Sequence, residues 1–330
     1  MMIKNDTITA VPGIRVGHAQ NEQALTGCTV IICEKGAIGG VDQRGGAPGT
    51  RETDLLHPMH LVQRVHSIVL SGGSAFGLDA ASGVMKYLEE RKIGFNAGVA
   101  RVPIVSSAIL FDLGLGKVKT RPDASMGYQA CQNATEKPVT QGNVGAGTGA
   151  TVGKLLGGKR AMKSGLGSAS TSIGNGIIVG AIVAVNAIGD VIDPDTRKIL
   201  AGARALPGRK GKVFLDSLEF MRSLAGRLVL NLASHQNTVI GVVATNAKLT
   251  KEEANKVAQM AHDGLALTIR PAHTMMDGDT IFSMATGQRS ADVNIVGAFA
   301  AQVFAQAILN AVRNAKSVPG LPAASDVKSQ

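Results

Sequence analysis

NTVIGVVATNAKL, residues 237–249, sets an amide and a hydroxyl at the head of a run of β-branched residues. Val and Ile at this density read as a buried strand, and Thr suits a strand as well. Asn237 and Thr238 therefore admit two readings. In one, Thr238 simply opens a strand. In the other, the chain is cut after Asn237 and Thr238 becomes a new N-terminus. The flanks decide the fold class. Downstream, Thr250 and Glu253 form a capping-box pattern that opens the helix KEEANKVAQMAHDGLAL. NIVGAFAAQVFAQAILNAVRNA then reads as a second, mostly apolar helix, and SVPGLPAASDVKSQ as a frayed tail.

Upstream, IRVGHAQ and GCTVIICEKGAIGGVDQRGG read as strands parted by glycine turns, and VHSIVLSGG as a strand ending in one. In SAFGLDAASGVMKYLEERK, the residues Phe76, Ala80, Ala81, Val84, Met85 and Leu88 recur at helical spacing. VPIVSSAILFDL is strand-like, DASMGYQACQNA a short helix, and GIIVGAIVAVNAIGDVID a long strand region. The segment LDSLEFMRSLAGRLVLN fits helical spacing and follows the basic, glycine-containing RALPGRKGK. Strands and helices interleave without a linker, which predicts an α/β (α+β) chain with residues 1–330 as a single domain.

Composition narrows the function classes. Of 330 residues, 45% are hydrophobic and 41 are glycine, while Trp is absent, a profile that fits a glycine-rich enzyme. The formal charge of +10 is uneven: from residue 238 onward eight Lys and Arg meet seven Asp and Glu. A basic balance fits nucleic acid or acidic substrates. With 3% aromatic residues there is little to stack on bases, and no nucleic-acid motif occurs, so no nucleic-acid partner is expected. Cys28, Cys33 and Cys131 are odd in number and form no C-x-x-C, which reads as a reducing compartment. The N-terminus lacks an apolar signal core, and the apolar run around IIVGAIVAVNAIG is too short to span a bilayer. The expectation is a soluble, cytoplasmic protein without a membrane partner.

Several familiar motifs fail on spacing. SGGSAFG is not G-x-G-x-x-G, and GATVGK has Thr148 and Leu155 where a phosphate loop needs Gly and Ser or Thr. Lys154, following so many glycines, can still approach a backbone closely. His57 and His60 in HPMH have no evident third ligand, and H-E-x-x-H is absent, so no metal and no cofactor are expected. No G-x-S-x-G elbow exists. HTMMDGDTIF places Asp277 and Asp279 around Gly278 in an apolar segment, either a surface D-G-D turn or a working acid pair. Asn186 interrupts AIVAVNAIG, either at a strand end or buried with a partner.

Together these pieces resemble the DmpA-type aminopeptidases, self-processing N-terminal-nucleophile enzymes that include β-peptidyl aminopeptidases and nylon-oligomer hydrolases. The resemblance runs from VPGIRVGHA to about Ala315. Its most specific block is NTVIGVVATN followed by a helix and HTMMDGDTIF, and DQRGGAPGT, LSGGSAFGLDAASGV, VSSAILFD, GAGTGATVGK and VAVNAIGDVID follow the same pattern. The Asn-Thr pair is similar to the nylon-oligomer branch. The resemblance implies a four-layer αββα sandwich, usually a homotetramer, and cleavage into residues 1–237 and 238–330. It makes Thr238 the nucleophile released after Asn237, with Asp277 and Asp279 as the orienting acids. Asn186 becomes the amide at the oxyanion or nucleophile, and Lys154 a lysine of the site. Where relatives of that branch carry Tyr after VSSA, this chain has Phe111, which removes a phenol donor.

The implied chemistry is self-sufficient. A threonine hydroxyl needs a base, and a freed α-amine, titrating near ~7.7–8.0, lies on the same residue. The expected activity is hydrolysis of small peptides or amides, as an aminopeptidase, β-peptidase or amidase, through an acyl-Thr intermediate. The alternatives are an acyltransferase on the same core and a non-cleaving small-molecule binding protein.

Overall fold

The computed structural model describes residues 5–206, 213–227 and 237–327. Its main sheet has nine strands: β1 (Arg15–Asn21), β2 (Thr26–Gln43), β3 (Thr50–Arg51), β4 (Arg64–Ser71), β5 (Val105–Ile109), β6 (Leu166–Ser172), β7 (Ile178–Asn186), β8 (Thr238–Lys248) and β9 (Thr280–Ser290). The order is β6-β7-β8-β9-β2-β4-β5-β3, with β1 beside β2. Four helices cover it: α1 (Ala80–Glu89), α2 (Ala124–Gln132), α3 (Lys251–Thr268) and α4 (Val293–Arg313).

One long strand turns this path into two layers. Residues 28–32 of β2 pair with β4, residues 38–43 pair with β9, and the register against β4 shifts between Ile32 and Ala37. Such irregularities bend a strand. The half-sheet β6-β7-β8-β9 thereby stacks on the half-sheet β1-β2-β4-β5. Alternation along each strand then sorts the side chains. Val183, Val185, Val239 and Val243 pack under α3 and α4. Ile182, Ala184, Ile240, Val242 and Phe282 face Ile31, Ile68 and Leu70 between the halves. Val30, Ile32 and Val69 meet Ala80, Val84 and Ala130 of α1 and α2. The result is the expected order of layers, helix, sheet, sheet, helix, with the two sheets joined through β2.

The capping box at Thr250 and Glu253 forms and starts α3. Gly241 in β8 gives way to Phe304 of α4; a Cβ there would meet the ring at 2.7 Å. α4, 21 residues long, is apolar enough by length and composition to cross a bilayer. Most of its apolar surface is taken up by α3, β6 and β7, whose residues share its core cluster, while Ile295 stays exposed.

Three expectations change. In SAFGLDAASGVMKYLEERK residues Ser74–Asp79 form a 3-10 turn with Phe76 exposed, and the α-helix begins only at Ala80. The tail is not frayed up to Val327: Leu321 and Ala323 are buried, and Pro322 accepts the Lys163 amide at 2.9 Å. In LDSLEFMRSLAGRLVLN the first helix ends at Arg222, because Ser223 leaves helical geometry. The part from residue 228 onward lies outside the described residues, as does 207–212 of RALPGRKGK.

Candidate active site

Thr238 opens β8 directly opposite Asn186, the last residue of β7. Paired residues of antiparallel strands project to one face, with Cβ atoms ~4.5–5.5 Å apart. That face is the inter-sheet one, since Thr238 is in step with Ile240 and Asn186 with Ala184. Both side chains are buried at the end of the middle layer, as are Asn237, Asp277 and Asp279.

The acids arrive on the turn that leads into β9. β8 and β9 run parallel from Ile240 opposite Thr280, and Asn237 already bridges Asp277 in the same sense. The Gly278 N–H donates to the Asn237 carbonyl at 3.0 Å. The Thr238 hydroxyl donates to that same carbonyl. Asp279 Oδ1 accepts the Val239 N–H at 2.8 Å, and its Oδ2 accepts the His273 N–H at 3.1 Å. Asp277 Oδ2 accepts the Thr274 N–H at 2.9 Å and the Thr274 hydroxyl at 2.5 Å. Both carboxylates are thus aimed by backbone donors, and neither belongs to an exposed turn.

DQRGGAPGT is the brace of this turn. The Arg44 N–H donates to Asp279 O at 3.0 Å, Gly46 N–H to Thr274 O at 3.0 Å and Ala47 N–H to Asp277 O at 2.8 Å. A Cβ at Gly45 would lie 2.2 Å from the Asp277 carbonyl oxygen, so only glycine permits the approach. Gly278 is similarly confined, with a Cβ 2.6 Å from Ala47 O and 2.9 Å from Thr238 Oγ1. Gly278→Ala is expected to push the N–H off the Asn237 carbonyl and so to slow, about tenfold, the Asn237–Thr238 cleavage that the DmpA-type resemblance implies, because small misplacements of reacting groups are costly. Electrophoresis of time points after expression measures it.

Lys154 follows Gly153, whose φ of +70° suits glycine. Its Nζ donates to Asn186 Oδ1 at 2.7 Å and to Asn186 O at 2.8 Å. Asn186 Oδ1 also accepts the Thr151 N–H at 3.1 Å, and its Nδ2 donates to Phe111 O at 3.0 Å. Phe111 therefore serves the site through its backbone. Burial pulls the Lys154 ammonium down to about 7, against the opposing pull of Asp277 and Asp112. Burial, then the neighbouring Asp279, pushes the Asp277 carboxyl up to about 6, opposed by the Thr274 hydrogen bonds and Lys154. Such displaced values are common where acids and bases work.

All five predicted side chains, Thr238, Asn186, Asp277, Asp279 and Lys154, converge with Asn237 on this corner. Sequence reasoning missed the Gly278 N–H, Thr274, Thr151 and His273. Of these only Gly278 carried a signal, because a glycine between two acids also marks a close backbone approach. His57 and His60 are exposed. Among the described residues no three His, Cys, Asp or Glu side chains gather as a metal site would require.

Residues 6–324 match the profile of Peptidase family S58. The chain belongs to peptidase family S58. As an S58 member it is a hydrolase of amide bonds, and the DmpA-type resemblance holds. It is 41% identical over 349 residues to an uncharacterized aminopeptidase of Mycobacterium tuberculosis, with 98% of each chain covered. It is 32% identical over 316 residues to a 6-aminohexanoate-oligomer endohydrolase of Kocuria sp., covering 92% of this chain and 84% of that one. The L-aminopeptidase D-Ala-esterase/amidase of Ochrobactrum anthropi, described as a new variant of the Ntn hydrolase fold, superposes with a TM-score of 0.69. That match has 19% identity and covers 97% of this chain and 90% of the other. The fold is thus of the Ntn hydrolase type.

Proposed function

We propose that this S58 hydrolase cleaves its own Asn237–Thr238 bond and then uses Thr238 as an N-terminal nucleophile on small peptides or amide oligomers. The observation that carries it is the pairing of the Thr238 hydroxyl with the Asn237 carbonyl, whose oxygen also accepts the Gly278 N–H. A carbonyl polarised by a fixed donor beside a hydroxyl is arranged for an N-to-O acyl shift. The hydroxyl oxygen bonds to the Asn237 carbonyl carbon, the C–N bond breaks, and the proton passes to the departing Thr238 nitrogen. Water then hydrolyses the ester. In the processed enzyme the new α-amine takes the Thr238 proton as a substrate amide is attacked and hands it to the leaving amine. Water finally clears the acyl-Thr. Asp279 holds the Val239 amide and so the start of β8, while Asp277 and the Lys154–Asn186 pair set the charge around the nucleophile. Similarity to proteins named as an uncharacterized aminopeptidase and a 6-aminohexanoate-oligomer endohydrolase supports a small amide substrate.

The same proposal includes a cytoplasmic location and a homo-oligomer. Large exposed apolar side chains such as Met59, Leu61, Val99 and Met275 support burial of surface in an assembly.

Mass spectrometry of the purified protein tests the cleavage. Two pieces of about 24 and about 10 kDa are expected, the share of the 33.9 kDa chain on either side of residue 237, the smaller beginning at Thr238. A single full-length mass after prolonged incubation refutes it. The pieces should co-elute on gel filtration without denaturant. β8 lies between β7 and β9, and β9 pairs with β2, so separation would open two ladders and the cores on both faces.

A further inference from the structure

Behind the acid turn lie two histidines that the chemistry above does not use. His273 Nδ1 is 2.9 Å from Asp279 Oδ2, the oxygen that also accepts the His273 backbone N–H. A carboxylate only accepts, so Nδ1 carries the hydrogen and donates it. The other ring nitrogen, Nε2, is buried without a hydrogen-bond partner among the described residues. The His273 ring stands edge-on to His262 of α3, with centroids 4.8 Å apart and planes at 71°. His262 in turn points Nε2 at the Asp42 carbonyl, 3.0 Å away. Asp42 is engaged by Arg44 Nε at 2.7 Å. Burial lowers the His262 ring to about 4, so it is a neutral wall. The backbone gives a second, independent sign. His273 sits at φ +56°, a region few non-glycine residues enter and where Asn, Asp and His are enriched. A side chain kept at such a position, with one ring nitrogen left unpaired in the interior, calls for a reason other than packing.

We propose that His273 is a positioning residue for the threonine nucleophile, gripping Asp279 by Oδ2 so that Oδ1 stays on the Val239 amide next to Thr238. The inference rests on the reading of Thr238 as nucleophile. It adds a link from α3 to the head of β8: His262 fixes the plane of the His273 ring, the ring fixes one carboxylate oxygen, and the other oxygen fixes the strand start. His273 touches no reacting atom. Its loss should therefore lower kcat and leave KM nearly unchanged.

Two variants with opposite virtues decide it. His273→Asn keeps an N–H donor near the position of Nδ1 and tolerates the backbone conformation. His273→Phe keeps a ring against His262 and has no donor. With kcat and KM measured on protein shown by mass to be cleaved, His273→Asn is expected within about threefold of the wild-type kcat. His273→Phe is expected to lose about tenfold or more, since fractions of an ångström in nucleophile placement carry such factors. KM should stay within about twofold in both. The reverse order, Phe active and Asn impaired, identifies the ring as packing and overturns the proposal. Wild-type kcat in both variants overturns it too, as does loss of the native fold in both. Thr238→Ala separates the two ideas: if it is inactive while His273→Phe turns over normally, only the positioning role fails. If Thr238→Ala retains activity, the nucleophile reading itself fails.

Discussion

Thr238→Ala should yield one full-length band and amide hydrolysis reduced by roughly 10⁴-fold or more, the scale set by removal of a nucleophile from an enzyme that acts through one. Two losses coincide in this variant. Without the hydroxyl no acyl shift can begin, so the Asn237–Thr238 bond survives and no α-amine is released. Without cleavage, even an intact neighbourhood of Asp277, Asp279 and Lys154 has no base on residue 238. The fold should persist. Position 238 begins a strand whose following residues Val239, Ile240, Val242 and Val243 supply the packing, and exchanging a strand Thr for Ala shifts strand preference by no more than ~1 kcal/mol. Circular dichroism and gel filtration of the variant should match the wild type, whose pieces stay together. Full-rate turnover by Thr238→Ala would sink the N-terminal-nucleophile mechanism altogether.

Asp277→Asn should cost roughly 10²-fold or more in kcat/KM, the usual consequence of removing a positioned charge from an acid–base site. The amide can still accept from Thr274 through its oxygen, so the turn keeps its shape while the negative charge opposite Lys154 disappears. The pH dependence gives the sign. The folded Asp277 carboxyl is raised by burial first and by Asp279 second. If the ionised form is the working one, kcat/KM of the wild type should fall on the acid side around pH 6. The same raised value is a stability statement of opposite direction. An acid whose folded value exceeds its unfolded value favours the folded state most when protonated, below about pH 4. That advantage is lost as pH rises through the folded value near 6. At pH 7 the wild type carries the cost of ionising Asp277 in the interior, and Asn does not. Asp277→Asn should therefore gain in urea midpoint over wild type as pH rises from 4 to 7, while activity collapses. Turnover within about twofold of wild type, or a stability difference that does not grow with pH, would mean that the carboxylate is not the buried, charged group described here. Each preparation must first be shown to be cleaved, so that processing and turnover are scored separately.

Much of this was legible in the chain itself. The density of Val and Ile after Thr238, the Thr250–Glu253 cap and the helical spacing from Ala80 to Leu88 each specify local structure through near neighbours, whereas Phe76, read into the same spacing, lies exposed in a 3-10 turn ahead of α1. They do so because strand alternation, capping and helical period are set within a few residues. The ordered blocks around NTVIGVVATN and HTMMDGDTIF carried the DmpA-type resemblance, and with it the candidate residues of the site. What those blocks left open was the choice between a surface D-G-D turn and a buried acid pair, and between a strand-end Asn186 and a buried one. Only the tertiary structure decided these, because burial depends on what covers a segment. Gly45 and Ala47, some 230 residues upstream of Asp277, close over the acid turn, and β7 sets Asn186 against Thr238. The Gly278 donor, the Thr274 support and the His273 grip were likewise invisible, since a backbone N–H has no residue-type signature and a lone histidine none that separates a ligand from a packed ring. The bend of β2 that stacks the two half-sheets belongs with them: its cause is a register shift between Ile32 and Ala37 against a partner strand, and register exists only once two strands have met.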